Sequence, residues 1–105
     1  MTYAAIEPTR AAVDALDGPT VIEFGTSWCG VCRATQPLIA AVLADRPDVH
    51  HLKIEDGPGR PLGRSFRVKL WPTLILLRDG KEVARLVRPR DARAIEQALA
   101  QIDPA

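Results

Sequence analysis

The chain has 105 residues, of which 47% are hydrophobic and 26% charged, with a formal net charge of +1. That is material for one globular domain over residues 1–105 with a modest core. The nearly balanced charge gives no signal for nucleic-acid binding, and no apolar run approaches the roughly 18 residues needed to span a bilayer, so neither nucleic acid nor membrane is an expected partner. Residues 1–8 lack a basic stretch followed by an apolar one, so no signal peptide is expected and the chain is expected to work in the cytoplasm.

Taken in order, Thr9 is placed to cap a short helix running to Leu16, which Asp17-Gly18-Pro19 ends. Residues 20–25 form a strand pattern. From Val31 the apolar residues Ala34, Leu38, Ile39 and Val42 recur at helical spacing to about Ala44, and Pro37 interrupts that helix. Asp45-Arg46-Pro47-Asp48 predicts a turn, residues 49–54 a second strand, and residues 56–63 a loop leading into a helical turn at 62–66. The Gly57-x-Gly59 spacing in that loop lacks the Gly-Lys-Ser/Thr ending of a phosphate loop. Residues 72–77 read as a buried strand, and Asp79-Gly80 as a hairpin turn into an antiparallel strand at 82–87. Asp91 caps a last amphipathic helix with Ile95, Ala98, Leu99 and Ile102 on one face. The alternation predicts an α/β fold, a central mixed sheet with helices on both faces.

The chemistry concentrates at Trp28-Cys29-Gly30-Val31-Cys32, which holds the only two cysteines, at the handover from strand to helix. Cysteines three apart at a helix start have Cα atoms roughly 5–6 Å apart, within the range a disulfide accepts. Unpaired N–H groups and the positive end of the helix dipole stabilise a thiolate there. A working dithiol is therefore expected. The competing readings are a structural disulfide, inert thiols or half a metal site. His50 and His51 are the only further soft ligands, and adjacent strand residues point to opposite faces, so both cannot join the cysteines on one ion. No metal and no cofactor is expected.

Cys-x-x-Cys beside a βαβ pattern is a redox signature. Together with Phe24, Pro37, Trp71-Pro72-Thr73 and Asp79-Gly80, it makes the chain from about residue 20 to 101 resemble thioredoxin. The resemblance implies the thioredoxin fold and a thiol–disulfide oxidoreductase that reduces protein disulfides through a mixed disulfide. Cys29 would be the exposed attacking thiolate, Cys32 the buried resolving thiol, and Pro72 a cis-proline facing them. It further implies protein disulfide substrates, a flavoprotein thioredoxin reductase as electron donor, and a monomer. Glu23 falls at the family's buried acid and His51 near the Lys that partners it. Burial of a carboxylate in this apolar strand would suit it to general acid/base work. Trp28, Gly30, Val31, Trp71 and Pro72 are the candidate substrate contacts, and the proline at the strand start is expected to leave nearby backbone groups free for an extended segment of substrate.

Several positions depart from the family. Val31 replaces a proline, Gly25 replaces an aromatic, Arg88-Pro89-Arg90 replaces a glycine-containing loop, and the loop before the short helix is about two residues longer. Residues 60–93 carry ten Lys/Arg against three acidic residues. Lys69, Arg88 and Arg90 are thereby expected to steer acidic partners. The alternative function is an interaction or redox-sensing module with one dedicated partner and little general reductase activity.

Overall fold

The computed structural model describes residues 2–103. The elements are α1 (Arg10–Asp14), β1 (Pro19–Gly25), α2 (Gly30–Ala44), β2 (His50–Glu55), α3 (Pro61–Ser65), β3 (Thr73–Arg78), β4 (Lys81–Val87) and α4 (Ala92–Ile102). This is the expected order. Boundaries move by one or two residues, and α1 stops short of Leu16, its last turn closing on Ala15. Thr9 Oγ1 accepts the Ala12 N–H at 3.1 Å and Asp91 Oδ1 the Ala94 N–H at 2.8 Å, so both predicted caps form.

The sheet runs β2-β1-β3-β4, with β1 parallel to β2 and antiparallel to β3. β3 and β4 form the closing antiparallel hairpin. Asp79 and Gly80 both adopt positive φ, as a two-residue hairpin demands, and a Cβ on Gly80 would lie 1.9 Å from the Asp14 carbonyl oxygen.

Strand alternation divides the core. Val21, Leu74 and Leu76 pack under α2 and α4 with Ile39, Val42, Ile95 and Leu99. Ile22, Phe24, Ile75 and Leu77 face the other way, against Val13 of α1 and Leu62 and Phe66 beside α3. Helices thus cover both faces, and β1, buried along nearly its whole length, carries its side chains alternately into the two cores. Among the described residues no helix is long and apolar enough to cross a membrane.

Candidate active site

The end of β1 delivers the cysteines. After Gly25 the chain leaves the sheet, and Cys29 is the N-cap of α2, with extended backbone and its Sγ accepting the Cys32 N–H at 3.2 Å. One sulfur therefore satisfies an otherwise unpaired first-turn donor. Both thiols are free. Cys29 is not the openly exposed group expected from the sequence: it is 9% exposed and Cys32 3%. Exposure lies instead with its neighbour Trp28, at 72%. Burial, then hydrogen bonding with Cys29, pushes the Cys32 thiol up to about 11, against a smaller opposing pull from the Thr26 backbone N–H.

Glu23 shares the Val21 face of β1, the face covered by α2, because the two residues are two apart in a strand. It is 1% exposed, so it is no edge carboxylate. Parallel register puts His51 opposite Val21 and Lys53 opposite Glu23, and His51 Nε2 lies 3.0 Å from Glu23 Oε1. The structure thus pairs the acid with His51, the histidine expected near the family's lysine partner. His50 points away and is exposed. Glu23 Oε2 makes no hydrogen bond to the described residues.

Sequence reasoning missed two residues here, Lys53 and Tyr3. Lys53 is buried on the same face, its Nζ 4.6 Å from the Tyr3 ring centre. Tyr3 comes from the N-terminal segment, which the Ala4 N–H anchors to the Lys53 carbonyl at 2.8 Å. The available signal was Gly25: where an aromatic is lost from the strand, another side chain must fill the room.

On the opposite side, Trp71-Pro72 is a cis peptide bond, as predicted. Thr73 pairs with Phe24, which brings Pro72 to the β1 end that bears the cysteine turn. Trp71 meets Trp28 edge-on at 5.5 Å between ring centres, and its indole N–H donates to Asp56 Oδ2 at 2.8 Å. The backbone beside Pro72 is not free as expected. The Arg88 N–H donates to the Pro72 carbonyl at 3.0 Å and Arg88 Nε to the Trp71 carbonyl at 2.8 Å. Arg88 holds this position with φ of 52°, where the family has its glycine-containing loop. Gly30 and Val31 are exposed, and Val31 shares a hollow with Arg88, Pro89 and Arg90. A second hollow, on the Asp56 side of Trp71, is lined by Arg60, Arg64, Arg67 and Lys69. Among the described residues, no group of three or more His, Cys, Asp or Glu is arranged to hold a metal.

A four-stranded mixed sheet with a Cys-x-x-Cys turn at the end of its central strand and a cis-proline beside it defines the class of dithiol redox proteins. The thioredoxin family model matches residues 6–101, and the chain belongs to the thioredoxin family. It is 36% identical over 85 residues to thioredoxin of Chlamydia trachomatis, covering 80% of this chain and 82% of that one. Against thioredoxin of Mycobacterium tuberculosis it is 31% identical over 106 residues, covering 96% and 91%. Among solved structures, thioredoxin 2 of Pseudomonas aeruginosa PAO1 in its reduced form superposes with a TM-score of 0.83 at 58% identity, covering 95% of this chain and 96% of that one. The chain is a thiol–disulfide oxidoreductase acting on protein disulfides.

Proposed function

We propose that Cys29 is the attacking sulfur and Cys32 the resolving one. The asymmetry between them carries this reading. Cys29 caps the helix beside exposed Trp28, whereas Cys32 lies a turn deeper with its proton held tightly up to about pH 11. Cys29 as thiolate attacks one sulfur of a substrate disulfide, forms a mixed disulfide and expels the other sulfur as thiolate. Cys32 then gives up its proton and attacks Cys29 Sγ. The protein is left as the Cys29–Cys32 disulfide, and two electrons and two protons have passed to the substrate. A thiol so reluctant to ionise needs a base, and Glu23, held by His51 with Oε2 unengaged, fills that role.

Trp28, Gly30, Val31, Trp71 and Pro72 form the substrate surface in this reading. The edge-on indoles and exposed Val31 supply its apolar centre, and the cations at 60, 64, 67, 69, 88 and 90 a positive collar. Because Arg88 occupies the Trp71 carbonyl, an extended substrate must displace its guanidinium, and an acidic side chain in the partner compensates by pairing with it. A flavoprotein thioredoxin reductase regenerates the dithiol, and the protein works as a cytoplasmic monomer.

Cys32→Ser should accumulate mixed disulfides with substrate proteins through Cys29, and Cys29→Ser should form none. Wild type should reduce insulin with steady turnover on dithiothreitol. Trapping through Cys32 instead would reverse the assignment, and no insulin turnover would favour the dedicated-partner module.

A further inference from the structure

Gly25 stands where a side chain would collide with two others. A Cβ built on it would lie 2.7 Å from Cys32 Sγ and 2.8 Å from the Tyr3 hydroxyl oxygen. The glycine therefore lets the phenol and the buried thiol share one small space at the end of β1. Tyr3 is held there from two sides: by the Ala4 N–H on the Lys53 carbonyl, and by the Lys53 ammonium over its ring. The segment is packed against the site and is no loose tail.

The same phenol lines an open hollow of about 620 Å³ that reaches Cys32 between Thr26, Arg33, Lys53 and Glu55. Trp28, Trp71 and Pro72 are absent from its walls. Cys32 is thus reached from the side of the turn away from the indoles, and the indoles are where the substrate docks in this reading. Proton traffic during resolution has the rear hollow open to it.

We propose that the Tyr3 hydroxyl, which makes no hydrogen bond to the neutral thiol, turns to donate one to the Cys32 sulfur as it ionises, stabilising the thiolate from the rear hollow while Glu23 takes the proton. This rests on the reading of Cys32 as the resolving thiol. In the step, the Cys32 proton passes to the Glu23 carboxylate, and the thiolate forms the bond to Cys29 Sγ. The bond between Cys29 and the substrate sulfur breaks, and that sulfur leaves as a thiolate to be protonated in turn. Tyr3 keeps its own proton throughout. Burial and then the negative charges of Cys32, Glu23, Cys29 and Glu55 raise its pKa well above the usual tyrosine range, so it remains a donor wherever the thiols titrate. The charged and titratable groups around Cys32 are Cys29 on its own helix turn, Glu23 with its His51 partner from the sheet, Tyr3, and Arg33, Lys53 and Glu55 across the hollow.

Tyr3→Phe keeps the ring over Gly25 and under Lys53 and removes only the donor. In single-turnover experiments with a disulfide peptide, it should form the mixed disulfide at the wild-type rate and resolve it about five- to tenfold more slowly. The pH midpoint of resolution should move upward. Tyr3→Ala should do the same and also lower the melting temperature, which Tyr3→Phe should leave in place. Wild-type resolution and pH profile in Tyr3→Phe would overturn the proposal. So would slow resolution in Tyr3→Ala alone, since the ring would then only fill space. Failure of the underlying assignment reads differently: Cys32→Ser would then accumulate no mixed disulfide, whatever Tyr3 does.

Discussion

The two sides of the cysteine pair are built on opposite principles. In front, around Cys29, indole and valine side chains stand in solvent and arginines ring them, a surface suited to meeting other proteins and letting them go. Behind, around Cys32, a buried carboxylate and ammonium and a half-buried imidazole and phenol share one face of the sheet. Front charges are screened by salt and govern encounter; rear groups sit in low dielectric, where a single hydrogen bond shifts a titration. A protein that exchanges electrons with other proteins has reason to separate the two. Recognition can then vary without disturbing the proton chemistry.

Breaking the rear should have the largest effect. Glu23→Gln keeps the shape and a hydrogen bond for His51 but removes the base, and resolution should slow roughly 10- to 100-fold. Mixed-disulfide formation should stay unchanged, and stability should hold or rise by about 1 kcal/mol, because a buried carboxylate is costly to desolvate. Rapid-quench trapping of the intermediate against time measures both rates. Equal rates in variant and wild type would reduce Glu23 to a packing residue.

Changing the front should leave resolution alone. Arg88→Gly removes a collar charge and the cap on the Trp71 carbonyl, and it relieves a left-handed backbone, worth about 1–2 kcal/mol. That gain is offset by the lost hydrogen bond, about 0.5–1.5 kcal/mol, so stability should change little. Association with an acidic disulfide peptide should slow several-fold at low ionic strength, and the salt dependence should flatten. Stopped-flow association rates across a salt series check this. A slope identical to wild type would show that Arg88 does not select partners.

The smallest effect separates the two sides by pH alone. Cys32 in the native state lies at about 11 against an ordinary 9.0, so folding binds its proton more tightly. The stability this contributes is fully present below pH 9 and is lost as pH rises through 11. Tyr3, raised from 10.0, adds a loss in the same direction above pH 10. Thermal melts from pH 8 to 11 should therefore fall more steeply for the reduced protein than for its disulfide form, in which Cys32 no longer titrates. Parallel curves would remove the Cys32 contribution.

What the sequence determined by itself was the periodic and the local. Apolar spacing, caps and turn residues together placed the eight described elements, with Thr9 and Asp91 announcing their caps and Asp79-Gly80 its turn, because each depends on neighbours a few residues away. The cysteine pair was equally legible, since its spacing along the chain is its geometry. Glu23 was visible as one charge in an apolar strand, but its bond to His51 needed the parallel register of β1 and β2, which joins residues 28 apart in sequence. Tertiary structure alone decided three further points. It buried Cys29 as well as Cys32, it turned Arg88 back onto the Trp71 carbonyl, and it brought the Tyr3 hydroxyl to Gly25 from the segment ahead of α1. No periodicity encodes such contacts. They follow from which segment fills the space a neighbour leaves, and close packing settles that only once the whole chain is folded.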